Sequence, residues 1–471
     1  MKKVMLLICC LLVFLFISIS FGQVNSGFQI SNEDYGNFSS NNAEHPCISE
    51  EQYLMIEQSC KENIQLLQSK GVLHKNSAAV TLFNWPLKAA NGLSDCSFYR
   101  ISAYVDQNTG SGTIQDFSCG TNTYDGHRGT DISIWPFNFY KMDHDFVEVI
   151  AAAPGIIINK HDGEFDKNCA ANNQTANYLI IRHADGSQAN YWHMKKNSLT
   201  KKVIGESVLA GEYLGIVGSS GSSTGPHLHF EVWAGSTVAT RVDPYAGNCN
   251  TLNAISWWAN QKSYMETGIV KVSVNTTDIV FPACPATETP NESDVFQIPF
   301  QGAGLAPGFA KFYIFIREEM SGLTANMSIL NPDGTTFTSW TYMSTAANKT
   351  RINGFSKKLP TTPGIYTFMA NYNGTICSKT FKITAATNTD NLNHENKSII
   401  YPNPSSGTFI LEMKKSVATE IEIFNLLGVI VYRASIIKPI TEFNLNLPAN
   451  IYLYKIRNEN KVSDTGKLLI E

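Results

Sequence analysis

The sequence predicts a mainly β protein built from several domains. Two observations indicate this fold class: apolar residues alternate with polar ones in short runs, and Gly, Asn and Asp separate those runs. Alternation with a period of two is typical of strands that bury one face, and the separating residues are typical of turns. The third observation is length, because 471 residues exceed one ordinary core and predict two to four domains.

Residues 1–22 have the layout of a secretory signal peptide, in which Lys2 and Lys3 precede an apolar run and small residues follow it. No later stretch is apolar for long enough to span a bilayer. We therefore expect an exported mature chain without a transmembrane segment. Its formal net charge goes from −4 to −6, because two lysines and no acid leave with the signal. A negative net charge disfavours a nucleic-acid or anionic-membrane partner.

The N-terminal segment, residues 23–79, contains one predicted helix. Ser49 and Gln52 match a capping box, and Gly71 is expected to end the helix. One helical face carries Tyr53, Ile56, Cys60, Ile64 and Leu67. Three roles remain open for this segment: a pro-region, an inhibitory cover or a structural brace. The sequence shows no metal ligand in it.

A compact antiparallel β domain is predicted for residues 80–250. Runs such as EVIAAAPGIIINK, NYLIIRHADG and YLGIVGSSG indicate its strands and tight turns. The run TLNAISWWANQKSY predicts a helical connection over residues 251–266.

Residues 267–385 predict a second β module, an immunoglobulin-like β-sandwich. The run YTFMANYNGTICSKTFKI places Asn-Gly between two alternating stretches, which is a strong hairpin signal, and NPDG at residues 331–334 predicts another turn. No motif in this module indicates catalysis. Residues 386–397 are polar and nearly free of apolar side chains, so they predict a linker.

Residues 398–471 predict a small C-terminal β unit. Its motifs are FNLLG, the closing GKLLI, a turn at Gly407, and Tyr401-Pro402-Asn403-Pro404. In these motifs the tail resembles the C-terminal sorting domain of the type IX secretion system of the Bacteroidetes. The resemblance implies contact with that secretion machinery, export through the outer membrane, removal of the tail, and surface attachment or release. Asn450 replaces the usual Gly before IY, and Asn also tolerates a left-handed backbone.

Eight cysteines remain after the signal, and an even number in an exported chain predicts disulfides, although eight allow 105 pairings. The expected pairs are Cys47 with Cys60, Cys96 with Cys119, and Cys284 with Cys377. No C-x-x-C occurs, so the sequence does not predict a thiolate metal site.

Three segments of residues 80–250 carry metal-competent side chains beside turns. TYDGHRGTDISIWP supplies His127 and Asp131, with glycines at 126 and 129 that let both side chains reach one ion. QANYWHM supplies His193, and SSTGPHLHFEVW supplies His227 and His229. Residues i and i+2 of a strand share a face, so the last two histidines are expected to project together while the apolar residues between and after them enter the core.

The order G-H-x-G-x-D, Y-x-H and G-x-x-x-G-P-H-L-H-F-E is similar to that of the lysostaphin-like, LytM-type zinc metallopeptidases, over about residues 80–250. The resemblance implies that His127, Asp131 and His229 bind one Zn²⁺ ion and that His193 and His227 are catalytic. Two His and one Asp leave a coordination position for water, which a catalytic zinc requires. Glu231 is expected to support these residues and not to bind metal.

Each residue also has a structural interpretation. His127 and Asp131 could form a loop salt bridge, His193 could be a core histidine, and His227 with His229 could be a solvent-facing pair. Their occurrence together in the right order, each beside glycine turns, favours the metal site.

The sequence therefore predicts a secreted or surface-attached zinc endopeptidase that uses zinc-activated water and two assisting histidines. Peptidoglycan cross-link peptides are the expected substrate because the family usually cleaves them, and glycine-rich extracellular matrix protein is the alternative. A non-catalytic surface adhesin with a structural zinc is a further alternative, although a structural zinc normally has four protein ligands. Latency is also open, with the segment before residue 80 or a loop near residues 90–120 covering the metal.

Overall fold

The computed structural model describes residues 28–30, 47–73, 79–108, 110–385, 398–413, 419–458 and 461–471. The predicted signal peptide and the predicted linker lie outside the described residues. The described chain is mainly β with largely antiparallel sheets, which confirms the predicted fold class. It divides into two compact units, Met1–Thr384 and Ala385–Glu471. None of the described helices is long and apolar enough to cross a membrane.

The first unit begins with strand β1 (Phe28–Ile30) and helix α1 (Glu50–Ser69). Residues 80–250, which we call the peptidase region after the family that their motifs resemble, then contain β2 (Leu87–Ala89), β3 (Arg100–Ala103), β4 (Thr130–Ser133), α2 (Asn138–Asp143), β5 (Val147–Ile150), β6 (Gly155–His161), β7 (Tyr178–Arg182), β8 (Gln188–Trp192), β9 (Ser207–Val208), β10 (Tyr213–Ile216), β11 (His227–Trp233) and β12 (Arg241–Val242). A large antiparallel sheet has the order β3-β4-β11-β8-β7-β6-β9, with β12 paired to β11, and a small sheet has the order β10-β5-β2.

The large sheet is buried on both faces. Along β11, Leu228, Phe230 and Val232 join the core shared with the small sheet, as the period-two pattern predicts. The intervening residues of β11 point to the opposite face, where Trp233 packs in the cluster that also contains the apolar side of α1. Helix α1 therefore covers the face of the sheet that carries His227 and His229.

Helix α1 has the capping and the buried stripe that the sequence predicts. Ser49 Oγ accepts a hydrogen bond from the Gln52 backbone N–H, and the Gln52 side chain accepts one from the Ser49 N–H. All five residues of the predicted apolar face are buried. The helix ends at Ser69, and Gly71 follows with φ +70°, which a glycine adopts without strain.

The predicted helix over residues 251–266 is wrong, because the structure has an irregular path there. Asn253 Nδ2 donates to the backbone carbonyl of Ile255 at 2.8 Å, which is the kind of local hydrogen bond that competes with helix formation. The adjacent residues Trp257 and Trp258 are both buried against the peptidase core.

The region that we call the sandwich region, residues 268–384, forms two sheets around a shared core. Its strands are β13 (Gly268–Asn275), β14 (Val295–Gln297), β15 (Phe309–Glu319), β16 (Thr324–Leu330), β17 (Thr336–Met343), β18 (Asn348–Lys358), β19 (Gly364–Tyr372) and β20 (Thr375–Thr384). The sheets have the orders β1-β18-β15-β13 and β14-β20-β19-β16-β17, with β14 parallel to β20. Asn373 and Gly374 have φ of 50° and 79° between β19 and β20, which confirms the predicted hairpin.

All three expected disulfide pairings are wrong. The structure joins Cys96 to Cys377, Cys119 to Cys249, and Cys169 to Cys284. Each expected pair stayed within one predicted domain, whereas two of the actual bonds connect the peptidase region to the sandwich region. Cys47 and Cys60, which were expected to pair with each other, are both free.

A buried charge cluster lies beside the first of these bonds. Asp95 Oδ2 is 2.9 Å from Lys141 Nζ of the peptidase region, and Asp95 Oδ1 is 2.6 Å from Lys271 Nζ of the sandwich region. Lys271 also contacts Glu292 at 2.8 Å. The side chains of Asp95 and Lys141 are only 4% and 2% exposed. The two regions are thus joined by ion pairs as well as by disulfides.

The second unit contains two further antiparallel sheets. Its strands are β21 (Ile399–Tyr401), β22 (Thr408–Glu412), β23 (Thr419–Phe424), β24 (Ile430–Ile436), β25 (Ile440–Asn444), β26 (Asn450–Asn458) and β27 (Lys461–Ile470), in the orders β21-β22-β25 and β24-β23-β26-β27. Gly407 and Gly428 have φ of 99° and 80° at the predicted turns. Asn450 begins β26 without a positive φ, so its tolerance of the left-handed conformation is not used.

Candidate metal centre

The candidate site lies where three neighbouring strands meet on one face of the large sheet. Strand β11 pairs with β4 on one side and with β8 on the other. His229 is opposite Asp131 of β4 and opposite Trp192 of β8, the residue before His193. Sheet register therefore brings together side chains that lie up to about 100 residues apart in sequence, such as Asp131 and His229, which are separated by 98 positions.

Three donor atoms converge at this site. His229 Nδ1 is 2.9 Å from Asp131 Oδ1, and His127 Nε2 is 3.2 Å from each of those two atoms. All three side chains are buried. A triangle with edges of this length allows a cation to lie about 2.0 to 2.2 Å from every corner, which is the distance of zinc to His and carboxylate ligands.

Neighbouring groups fix the orientation of His127. Its Nδ1 donates to the Tyr104 carbonyl at 2.7 Å, so Nε2 carries the lone pair that faces the other two donors. The Tyr124 ring stacks on the imidazole with centroids 4.2 Å apart. Gly126 before it has φ +72°, a conformation that a larger residue rarely adopts. This glycine turn is the one that the sequence predicts.

Gly129 allows His229 to approach the backbone between His127 and Asp131. A Cβ atom at this position would lie 2.6 Å from His229 Nε2 and 2.8 Å from the carbonyl oxygen of Phe230. Both distances are shorter than real contacts of a Cβ, and one of the two atoms belongs to the rigid backbone of β11. The second predicted glycine therefore has a steric role.

His193 and His227 form a pair beside the three donors. Their ring centroids are 4.6 Å apart, and His227 Nε2 is 3.6 Å from Asp131 Oδ1. His193 Nδ1 donates to the Ser220 carbonyl at 2.7 Å, and His227 Nδ1 donates to the Gly225 carbonyl at 2.8 Å. These bonds leave Nε2 of each neutral ring as the proton acceptor.

The segment GSSGSSTG, residues 218–225, has a larger role than the turn that the sequence predicts. It delivers the chain into β11, and its carbonyls at Ser220 and Gly225 also orient both histidines of the pair. His193 itself is fully buried and has a backbone φ of +62°. This left-handed backbone conformation costs on the order of 1–3 kcal/mol in a residue with a Cβ. Such strain is typical of functional positions.

Glu231 lies behind His229 and outside the three converging donors. Its Oε2 is 3.8 Å from His229 Nε2 and accepts a hydrogen bond from the Tyr53 hydroxyl at 3.0 Å. Glu231 thus connects His229 to helix α1. The sequence predicted a supporting role for Glu231 but gave no indication of this contact with Tyr53.

The electrostatics of the site favour a bound cation. Burial alone would raise the pKa of Asp131, but His127 and His227 hold that pKa well below its ordinary value. Burial lowers the pKa of His193 and so keeps its ring neutral near pH 7. A buried, ionised carboxylate is stabilised by nearby positive charge, which a divalent cation can supply.

The structure brings all five predicted site residues together, and it adds one residue that the sequence analysis missed. This residue is Cys47, which lies two residues before Ser49, the cap of α1. Its Sγ is 2.7 Å from the Tyr124 hydroxyl oxygen. Its sulfur lies within 4.8 Å of a donor atom on each of His127, Asp131 and His229. The sequence predicts Cys47 to be the disulfide partner of Cys60, and no motif around Cys47 indicates a metal ligand.

Comparison with known families separates the chain into two matched parts. Residues 126–244 match peptidase family M23, and residues 399–471 match the secretion system C-terminal sorting domain. The first match contains the five predicted site residues.

Curated relatives match a short part of the chain. The DD-carboxypeptidase/endopeptidase Mpg of Neisseria meningitidis serogroup B is 46% identical over 55 residues, which are 12% of this chain and 12% of that protein. The peptidoglycan DD-endopeptidase ShyA of Vibrio cholerae is 41% identical over 56 residues, also 12% of each. Cell division protein DipM of Caulobacter vibrioides is 29% identical over 120 residues, 25% of this chain and 19% of that protein. The chain thus spans less than a fifth of the length of these relatives.

Among solved structures, the catalytic domain of the antimicrobial peptidase lysostaphin from Staphylococcus simulans aligns with 31% of this chain and 87% of its own, at 20% identity and a TM-score of 0.21. A TM-score this low does not by itself establish a common fold.

Proposed function

Because residues 126–244 form a domain of peptidase family M23, we propose that the chain is a zinc endopeptidase that hydrolyses the cross-link peptides of peptidoglycan. The observation that supports this proposal best is the convergence of His127 Nε2, Asp131 Oδ1 and His229 Nδ1 within 3.2 Å of one another. We assign these three side chains as the zinc ligands, and His193 and His227 as the catalytic pair.

The donor set fits zinc. Two imidazole nitrogens and one carboxylate oxygen form the ligand set of several catalytic zinc sites, and three protein ligands leave one position for water or substrate. Bound there, zinc would lower the pKa of a water molecule toward neutrality and polarise the scissile carbonyl.

The histidine pair supplies proton transfer beside these ligands. Nε2 of His193 and His227 can take the proton of the attacking water and return it to the leaving amine, because each Nδ1 already donates to a backbone carbonyl. A protonated ring of the pair can also donate to the oxyanion that develops on the scissile carbonyl. Burial keeps His193 neutral and ready to accept a proton.

Peptidoglycan is the proposed substrate because the relatives of this chain include a peptidoglycan DD-endopeptidase. The C-terminal sorting domain directs the chain to the cell surface or the exterior. An extracellular location is compatible with a wall substrate and also with the alternative substrate, glycine-rich matrix protein.

Substitution of each histidine separates ligands from catalytic residues. His193→Ala and His227→Ala should retain one zinc per chain and lose on the order of 10²- to 10⁴-fold in hydrolysis rate. His127→Ala should lose the zinc as well. His161→Ala is the matched control, since this histidine is half exposed and pairs with Glu164 away from the site. Each histidine variant is prepared twice, once with Cys47 intact and once with Cys47→Ala, because the Cys47 sulfur lies beside the proposed ligands. Zinc content by mass spectrometry and the cleavage rate are measured on the same preparations.

Retention of full activity in both His193→Ala and His227→Ala would remove them from the proposed mechanism. Substrate class is decided by incubation with purified sacculi and with elastin-like protein, each with and without a chelator. Release of soluble fragments from sacculi alone supports the wall substrate, and release from elastin-like protein alone supports the alternative. Release from neither by the Cys47→Ala chain contradicts both.

A further inference from the structure

We propose that Cys47 is a fourth, removable ligand of the metal and that it keeps the enzyme latent, an inference that rests on the proposed function. Helix α1 delivers the sulfur to the position that water and substrate need. The segment before residue 80 is then an inhibitory cover, which is one of the roles that its sequence leaves open.

The position of the sulfur is the main observation. Cys47 Sγ and one donor atom from each of His127, Asp131 and His229 all lie within 4.8 Å of one another. The same sulfur also lies within 4.8 Å of ring nitrogens of His193 and His227. It is thus common to the group of proposed ligands and to the catalytic pair. A nucleophilic water must occupy this same space between the two groups.

A second observation concerns the ring of His193. His193 is fully buried, and its Nε2 has no hydrogen-bond partner among the described residues. A buried polar atom without a partner is costly, which indicates that a ligand completes the site. The Nδ1 of the same ring donates to the Ser220 carbonyl, so the ring and its unpaired Nε2 are held in one orientation.

A cysteine thiolate can occupy the coordination position of zinc that three protein ligands leave open. Zinc binds cysteine sulfur at about 2.3 Å, and two His, one Asp and one Cys complete a tetrahedron. Opening requires that the bond from Cys47 Sγ to the metal breaks, that a water oxygen takes its place, and that the released thiolate gains a proton from solvent. No oxidant or reductant is needed.

Residues of the first turn of α1, which follows Cys47 closely in sequence, contact the large sheet and so fix the position of Cys47. Glu50 forms an ion pair with Arg128, the residue between the proposed ligands His127 and Asp131. The Arg128 guanidinium also lies 4.6 Å above the Tyr53 ring, and the Tyr53 hydroxyl donates to Glu231. Cys47 is therefore held in the site by the helix that follows it, which is itself bound to the large sheet.

Cys60, which lies within α1, provides a comparison with Cys47, which precedes the helix. It is also free and fully buried, but it packs among apolar residues and accepts a hydrogen bond from Asn159 Nδ2 at 3.5 Å. Burial raises the pKa of the Cys60 thiol to about 11. Cys60 therefore has neither the location nor the ionisation of a metal ligand.

A permanently closed structural zinc is the competing interpretation, because four protein ligands are typical of structural sites. The oriented His193 and His227 pair has no role in such a site. The two interpretations differ in what happens when Cys47 is removed.

The first experiment measures zinc coordination in the full mature chain by X-ray absorption. The unmodified chain and Cys60→Ala should show one sulfur at about 2.3 Å beside nitrogen and oxygen ligands, and Cys47→Ala and Cys47→Ser should retain zinc without that sulfur. Cys47 alkylation in the Cys60→Ala chain should accelerate on the order of tenfold or more when a chelator removes the metal.

The second experiment measures sacculus hydrolysis by the same proteins. Cys47→Ala and Cys47→Ser should both exceed the unmodified chain on the order of tenfold or more, whereas Cys60→Ala should match it.

The outcomes distinguish the two proposals. Zinc without a sulfur ligand in the unmodified chain overturns the role of Cys47, and hydrolysis by that chain would leave the proposed function standing. A sulfur ligand with no hydrolysis by either Cys47 variant supports a structural zinc and overturns both. Absence of zinc from every variant also overturns both.

Discussion

At the scale of single residues, the site depends on small groups that leave room for larger ones. Gly129 is the clearest case, because His229 and the β11 backbone occupy the space that its side chain would need. The five proposed site residues could be predicted from sequence because they lie in three short motifs whose order resembles that of a known family. Cys47 could not, since its contact with Tyr124 spans 77 residues and its residue type first suggests a disulfide.

We predict that Gly129→Ala disrupts the metal site while leaving the rest of the fold intact. A Cβ at 2.6 Å from His229 Nε2 must displace that ring from Asp131, so zinc affinity should fall by roughly tenfold or more. Zinc titration with a competing chelator measures the loss.

Gly110→Ala is the control for this substitution. Its Cβ would meet only the ends of the Asn108 and Thr113 side chains, both at 3.2 Å. Equal zinc affinity in the two variants would contradict the steric role of Gly129.

At the scale of elements, helix α1 follows from local sequence, and the irregular segment after the peptidase region does not. The capping box of Ser49 and Gln52 and the apolar stripe lie within about twenty residues, so both are readable from the sequence alone. Over residues 251–266 the sequence predicts a helix, but the Asn253 side chain donates to the nearby backbone carbonyl of Ile255, and Trp257 and Trp258 pack in the core of the peptidase region.

We predict that Ile56→Ala loosens the docking of α1 on the large sheet. Ile56 is 7% exposed, and truncation of a buried isoleucine costs about 2–5 kcal/mol. Hydrogen exchange of the α1 amides should accelerate by roughly tenfold or more, with little change in the sandwich region.

Leu54→Ala is the matched control, since Leu54 lies on the same helix but is 66% exposed. Its amides should exchange at the unmodified rate. Similar acceleration in both variants would indicate that helix propensity, and not docking, holds α1.

At the scale of the whole molecule, the peptidase and sandwich regions are joined by groups that are distant in sequence. Cys96 bonds to Cys377 across 281 residues, and the neighbouring Asp95 meets Lys271 at 2.6 Å. Pairing across domains has no local signature, so the sequence predicts the cysteines as disulfide-forming but not their partners.

We predict that Asp95→Asn destabilises the first unit at neutral pH by about 3–5 kcal/mol, because it leaves the buried Lys141 without its counterion. Burial alone would raise the pKa of Asp95, but Lys141 and Lys271 hold it below its ordinary value. A lowered folded-state pKa gives stability that is present above the unfolded-state pKa of about 3.9 and is lost as pH falls through the folded-state value.

Urea unfolding of both chains at pH 7 and under acid conditions measures this dependence. The difference between Asp95→Asn and the unmodified chain should narrow in acid. Glu148→Gln, which breaks the more exposed pair with Lys88, should change stability by less than about 1 kcal/mol. A difference for Asp95→Asn that is independent of pH would contradict the ionic role.

The covalent connectivity of the chain has a consequence for α1. Within the described residues every disulfide lies between Cys96 and Cys377, so none of these bonds tethers residues 47–73 to the rest of the protein. One nick between residues 73 and 79 would leave the N-terminal fragment attached by non-covalent contacts of α1 and β1 and by the proposed bond from Cys47 to the metal. Such a fragment can diffuse away upon dilution, in oxidising and reducing media alike, and a synthetic peptide of residues 47–73 should rebind in trans as an inhibitor.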